Sequence, residues 1–496
     1  MPSRQVEQPG KVRTKIVATV GPASRDPAVL TAMVQAGAAV FRLNFSHGTH
    51  EEHDATLRAI RGVAAKLGRP IGVLQDLGGP KIRLGPIPGD AVDCALGATF
   101  TLVDERTSQD PRQFTCTYRD LPRDLKPGDT VLFADGAVAM EVAEASGGVA
   151  RLTVTLAGRL KSRQGLNLPG TDLGVEALTD KDLRDLEWTA RNQVEYVGLS
   201  FVRRADDVVR LRKELVARGI SARIVAKIEK PQAVADLEAI LVETDAVMVA
   251  RGDLGVEMDV ARVPAIQKQI IAACARARVP VITATQMLNS MESSNRPTRA
   301  EASDVFNAVL DGTDALMLSG ETAVGQYPVE AVATMRRIAA EAEAMPTVPV
   351  PLPLPVPASV PASRPEPGSS ARANWIMPIT EGVVEAASLV CRRLGAALLI
   401  VATHSGRTAQ ALSKQRHRTP TLALSPTAEG ARAMSLFWGV TPIHVPEADD
   451  VERAMSVALD WARARALVAT GDRVVLLRGT VPGSAVHNAI LVQEVG

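Results

Sequence analysis

At 496 residues and 46% hydrophobic content, the chain is long enough for about three domains with substantial cores. Its 56 basic and 55 acidic residues leave a net charge of +1 with no charged tail, so nothing points to nucleic acid or a membrane surface as a partner. Cys94, Cys116, Cys274 and Cys391 form no C-x-x-C pair, the start MPSRQVEQPGK lacks an apolar signal region, and no apolar run reaches transmembrane length; a cytoplasmic protein without disulfides or structural zinc is expected.

In chain order, TKIVATV (14–20), AVFRLNF (39–45) and IGVLQDL (71–77) read as parallel strands buried on both faces. Helices over about 27–35 and up to about 67 separate them. From about 86 to 172 the rhythm breaks into short alternating segments such as TFTLV and RLTVTL, with turns at PGD (88–90, 127–129) and DG (135–136), which predicts an inserted all-β domain. The βα rhythm then resumes. Strands are expected at 196–201, 222–229, 246–253, 279–285 and 315–320. Helices are expected at 181–192, 204–219, 231–244, 263–278, 297–311 and 328–344. Eight strands and eight helices are the count that closes a (β/α)₈ TIM barrel. The proline-rich tract 345–368 reads as a polyproline II linker, with docking of a proline-binding partner as the weaker alternative. Strands at 397–403, 421–425, 441–445, 473–480 and 489–495 then predict a C-terminal α/β domain. The expected division is barrel (11–85), β lid (86–172), barrel (173–345), linker (346–372) and C-terminal domain (373–496).

Arg42, Asp76, Ser200, Lys227 with Glu229, Asp253, Thr285 and Ser319 fall where successive strands turn into loops. In a closed barrel those loops share one face, where active sites lie. Lys227 and Glu229 are two apart on a strand and so share a side. Glu229 and Asp253, on neighbouring strands, can hold one hard cation, and Lys227 beside it suits a transferring phosphoryl group. The bland reading is a structural Lys–Glu ion pair. Arg42 can grip phosphate in a bidentate fork. Asn44, Ser46 and Asp76 offer oxygens for a monovalent cation, or else Asn44 and Ser46 cap the next helix. The glycines of ARGDLG leave backbone N–H groups open to a substrate carboxylate. His47, His50 and His53 recur every third residue; a loop residue and a solvated first turn are expected rather than a metal site. No G-x-x-x-x-G-K-[ST] loop and no protein-kinase signature is present. In the last domain, Thr403, Ser405, Gly406, Arg407 and Thr408 form a phosphate cradle at a helix start, under a loop at 481–485, or simply a cap and turn.

At these residues the chain resembles the pyruvate kinases. The matching stretches are TKIVATVGPASR (14–25), FRLNFSHGTHEEH (41–53), RQGLNLPG (163–170), IVAKIEK (224–230), MVARGDLGVE (248–257), ITATQML (282–288), 296–323 and HSGRTA (404–409). The resemblance implies a barrel, an inserted lid and a C-terminal regulatory domain. It implies phosphoryl transfer from phosphoenolpyruvate to ADP with Mg²⁺ or Mn²⁺, in glycolysis, by a homotetramer. Arg42 and Lys227 would stabilise the phosphoryl group, and Glu229 and Asp253 would hold the metal. The backbone of Arg251, Gly252 and Asp253, with Thr285, would hold the substrate carboxylate. Thr285, Ser319 and water would protonate the enolate. Pro22, Asn44, His47 and Arg83 match nucleotide positions, and Asp135 lies on the lid. Three departures carry expectations. DLGGPKIR (76–83) has Lys81 where the family often has Glu; with Asn44, Ser46, Asp76 and Leu77 it predicts potassium-independent activity. Arg163–Gln164 replaces a Lys–Lys pair, removing one lid cation for the nucleotide. His404 stands where fructose-bisphosphate-responsive members often carry Lys or Arg, so the effector expected at 403–408 is a sugar monophosphate or AMP. The short N-terminus suggests a bacterial type. A catalytically inactive regulatory paralogue that binds metabolites is the alternative.

Overall fold

A computed structural model describes residues 12–134, 136–170, 176–345, 376–479 and 486–496. The expected linker, Asp135 and the loop 481–485 lie outside them. Eight parallel strands close into a barrel in which the first (Lys15–Thr19) pairs with the eighth (Ala315–Leu318) as well as the second (Ala38–Asn44). Between them run Gly72–Asp76, Tyr196–Val202, Arg223–Ile228, Ala246–Ala250 and Val281–Ala284. The strands are near-continuous apolar runs because both sides are buried: the outer side meets the helices, the inner fills the barrel.

Alternation decides which residues point inward. Val17, Val40, Leu74, Tyr196, Val225, Met248 and Met317 form the inner plug. Two residues further along their strands come Thr19, Arg42, Asp76, Gly198, Lys227 and Ser319. The same parity that packs the plug therefore carries the polar residues to the C-terminal rim. The floor is sealed from outside the barrel: Leu436 of the C-terminal domain joins the plug, and the Tyr196 hydroxyl donates to the Ala433 carbonyl at 2.8 Å.

Two expectations are corrected. The helix expected at 231–244 is broken into Pro231–Ala235 and Leu237–Glu243. Asp236 turns out of the helix, and its carboxylate accepts the Ala205 N–H at the start of the neighbouring helix. The strand expected at 246–253 stops at Ala250, and Asp253 lies in the first turn of a short helix, Arg251–Glu257.

The inserted region leaves after the third strand and builds its own sheets, with a core of Phe100, Leu102, Phe114, Val131, Phe133, Met140 and Leu152. The crossing segments pair with each other through Arg83 and Gly165. At the barrel both are held by buried Asp182, which accepts from the Gly79 N–H (3.2 Å) and from the Thr179 N–H (2.9 Å) and hydroxyl (2.6 Å). The C-terminal domain is a five-stranded sheet, four strands parallel and the last, Ala489–Glu494, antiparallel at one edge.

Candidate active site

Asp76 is the hub of the rim. Its side chain is 1% exposed, and it takes Arg42 Nε at 2.6 Å and Lys227 Nζ at 3.2 Å. Gly198 on the next strand makes room: a Cβ there would stand 3.1 Å from Asp76 Oδ1. Burial opposes the Asp76 charge, but Lys227 and Arg42 outweigh it and hold its pKa below the usual value. Lys227 Nζ also reaches Glu229 Oε1 at 2.9 Å and donates to Ser200 Oγ at 2.7 Å. Burial pulls the Lys227 pKa down, yet Asp76 and Glu229 carry it above the ordinary lysine value, so it stays a cation. Ser200 Oγ in turn donates to the Leu77 carbonyl at 2.7 Å, and Arg42 donates to Thr19 Oγ1 at 3.1 Å. Two cations are thus fixed on one carboxylate at the mouth of the barrel, an arrangement suited to a phosphoryl group. The bland Lys–Glu ion pair exists, but as part of this cluster.

The donor set fits a divalent cation. Burial raises the Glu229 pKa; Lys227 opposes this and the Asp253 charge adds to it. That like-charge pressure is what a cation between the two carboxylates relieves. Asp253 has no ion-pair partner among the described residues. Two carboxylates of this kind suit a divalent cation whose remaining positions go to water and substrate oxygens.

The backbone is strained at this rim. Phe201 (φ 56°), Thr285 (φ 66°) and Gln286 (φ 53°) are left-handed non-glycine residues at strand ends. Phe201 N–H donates to Glu229 Oε2 at 2.8 Å. Thr285 Oγ1 accepts the Gly252 N–H and donates to the Ala284 carbonyl, both at 2.7 Å. The Arg251 side chain holds this loop by donating to the Thr285 carbonyl, and pairs with Asp304. Ser319 Oγ is buried without a partner among the described residues, while its N–H donates to Glu321, a buried carboxylate that also accepts the Leu288 N–H. Sequence reasoning missed Glu321 and Asp182. The only signal for either was a short polar spacing beside a strand end or helix start.

The remaining expected residues sort by place. Asn44 Oδ1 accepts the Ser46 N–H at 3.1 Å, and a Cβ on Gly78 would lie 3.4 Å from Ser46 Oγ, so the loops after the second and third strands adjoin. The helix cap there is Thr49, in a capping box with Glu52, not Asn44 or Ser46. Leu77 and Asp76 offer oxygens already engaged by Ser200, Arg42 and Lys227. Lys81 makes no ion pair with them; its exposed side chain runs toward Gly165. Pro22 and His47 are exposed, and Arg83 donates to the Arg163 carbonyl at 3.3 Å. Burial, Arg83, Lys81 and Arg42 together depress the His47 pKa. His50 and His53 are not a solvated turn: His50 Nε2 meets Asp185 Oδ1 at 2.8 Å, and His53 stacks on Phe45 with centroids 4.0 Å apart.

In the C-terminal cradle, Thr403 Oγ1 accepts the Gly406 N–H (3.1 Å), and Thr408 Oγ1 meets His487 Nδ1 (3.0 Å). Both threonines are buried, and each hydroxyl has one partner that helps hold the loop. His404 Nε2 faces Asp449 Oδ1 at 2.8 Å, and the Ser405 carbonyl accepts from Arg223 of the barrel.

Comparison with known proteins decides the family. The family model for the pyruvate kinase barrel domain matches residues 11–332, and that for the pyruvate kinase alpha/beta domain matches 381–493. The chain belongs to the pyruvate kinase family. It is 42% identical to pyruvate kinase 2 of Synechocystis, over 97% of this chain and 79% of that one. It is 39% identical to the pyruvate kinase of Clostridium acetobutylicum, over 97% and 99% of the two chains. The crystal structure of a pyruvate kinase from Cryptosporidium parvum superposes with a TM-score of 0.89 at 33% identity, covering 98% of this chain and 96% of that one. The chain is thus an enzyme of the pyruvate kinase family, with that family's barrel and C-terminal domains. No described helix is long and apolar enough to cross a membrane.

Proposed function

We propose that the rim transfers a phosphoryl group from phosphoenolpyruvate to ADP, giving pyruvate and ATP. The observation that carries this reading is the pair of cations, Arg42 and Lys227, fixed on Asp76 beside the two carboxylates Glu229 and Asp253. Arg42 and Lys227 neutralise the oxygens of the phosphoryl group as it leaves the enol oxygen for the terminal phosphate of ADP. Glu229 and Asp253 would hold Mg²⁺ or Mn²⁺, which when bound supplies further positive charge to the phosphoryl and enolate oxygens. The N-terminal backbone of the helix Arg251–Glu257, with Thr285, orients the substrate carboxylate. The enolate left by transfer takes a proton at its methylene carbon, through water held by Thr285 and the unpartnered hydroxyl of Ser319. Pro22, Asn44, His47 and Arg83 line the nucleotide side, and the inserted domain closes as a lid to exclude water.

Potassium independence belongs to the same proposal. Lys81 supplies a fixed ammonium for the loop of Asn44, Ser46 and His47; burial, then Arg83, then Lys81 depress the His47 pKa. A sugar monophosphate or AMP at 403–408, a homotetramer and a role in cytoplasmic glycolysis complete it. The test is pyruvate formation from phosphoenolpyruvate, ADP and Mg²⁺, with K⁺ or with only a large organic cation. Equal turnover is expected. Turnover only with K⁺ would remove the Lys81 role and keep the reaction. No turnover in either, even with sugar monophosphates or AMP added, would leave the inactive regulatory paralogue.

A further inference from the structure

Glu257 ends the short helix that begins with Arg251 and Asp253. Its side chain is 1% exposed. Oε1 takes Lys230 Nζ at 2.5 Å and accepts from Asn167 Nδ2 at 3.4 Å, while Oε2 is buried with no partner among the described residues. Lys230 directly follows Glu229, and its ammonium lies 5.7 Å above the ring of Phe201, whose N–H holds Glu229. Asn167 belongs to the lid. It lies on a two-residue strand, Leu166–Asn167, paired with Thr130–Phe133 in the lid sheet, so its position is that of the lid. One carboxylate thus touches the segment after Glu229, the helix of Asp253 and the inserted domain.

We propose that Glu257 is a positioning residue, the barrel's docking point for the lid, and that Asn167 reads lid position onto the two carboxylate-bearing segments. The inference rests on the phosphotransfer reading above. Three features carry it. The lid has a core separate from that of the barrel and can move as a unit. The 3.4 Å contact is long for a hydrogen bond and has room to shorten. An ion pair kept for stability alone would satisfy both oxygens, since an unmet buried acceptor is costly; Oε2 instead is buried with no partner among the described residues.

The test sets two reactions side by side: full phosphoryl transfer, which needs the lid, and exchange of pyruvate methyl protons with deuterated solvent in the presence of Mg²⁺ and inorganic phosphate, which needs only the barrel rim. Asn167→Asp places a second carboxylate against Glu257. It is expected to lower kcat/KM for ADP at least about tenfold, since like charges oppose each other across the junction, with exchange within about twofold of the unsubstituted enzyme. Adding Glu257→Gln should recover part of that loss. Unchanged transfer in Asn167→Asp, a parallel fall in exchange, or no recovery in the double variant each overturns the proposal. Should Asn167→Asp fail to fold, Asn167→Ala is read instead: a raised KM for ADP supports the docking point, and an unchanged one overturns it. If the unsubstituted enzyme exchanges no protons and makes no pyruvate, the reaction reading fails, separately from the docking point.

Discussion

At the scale of single residues, the site is a charge balance in which each member is held by its neighbours. Lys227 neutralises two buried acids, so Lys227→Met removes one of the two cations proposed to act on the phosphoryl group, leaving Asp76 to Arg42 alone and Glu229 without its ion-pair partner. Turnover should fall about 10²–10³-fold. Breaking a buried pair costs about 3–5 kcal/mol, so the denaturation midpoint should fall with it; an unchanged midpoint would show that the acids find relief elsewhere. Ser200 is subtler. Its hydroxyl accepts from Lys227 and donates to the Leu77 carbonyl, just before the chain leaves for the inserted region. Ser200→Ala should lower kcat about tenfold with stability reduced only about 1 kcal/mol, the worth of one buried hydrogen bond. Steady-state kinetics and urea denaturation would separate these effects. Lys227 and Glu229 were legible because a strand alternates with period two. The partners of His50 and His53 were not: Asp185 is 135 positions from His50.

At the scale of elements, caps and strained strand ends set the loops. Thr298 and Glu301 form a capping box on the helix Arg299–Leu310, and the same Glu301 accepts from both N–H and Oγ of Ser290. Thr298→Ala should cost about 1 kcal/mol in chemical denaturation while leaving turnover near that of the parent; a large loss of activity would mean that this cap also positions the loop after the seventh strand. The capping pattern T-x-x-E is local and readable. The break at Asp236 is not, because the Ala205 N–H that draws its carboxylate away is on another helix. The same holds for Asp253: its apolar run continues a strand in pattern, but the chain turns into a helix where Gly252 is captured by Thr285.

At the scale of the whole molecule, the C-terminal domain is bolted to the barrel floor by buried charge. Asp314, fully buried, pairs with Lys414 (2.6 Å) and Arg416 (3.0 Å). Trp438 is overlain by the guanidinium groups of Arg416 and Arg13. His417 follows in this junction, and burial, against a backbone hydrogen bond, pushes its pKa down to about 4 from 6.5. The folded state therefore binds fewer protons than the unfolded between these values. Stability is unaffected by this group above pH 6.5 and falls as pH drops from 6.5 toward 4, by roughly 3 kcal/mol in all. His417→Gln should flatten that acid limb in thermal melts between pH 7 and 4.5; an unchanged slope would place the acid sensitivity elsewhere.

By itself the sequence determined the eightfold βα rhythm, the β insertion and the polar residues at the strand ends. These depend on local periodicity, and parity along a strand assigns the side of the barrel without reference to the rest of the chain. Tertiary structure decided the pairings: that Asp76 would gather Arg42 and Lys227, that Thr403 and Thr408 would spend their hydroxyls inside the loop, and that Leu436 from a different domain would close the barrel floor. Each depends on groups distant along the chain meeting in a low-dielectric interior, where an unmet charge or hydrogen bond is costly. No local pattern records which partner arrives.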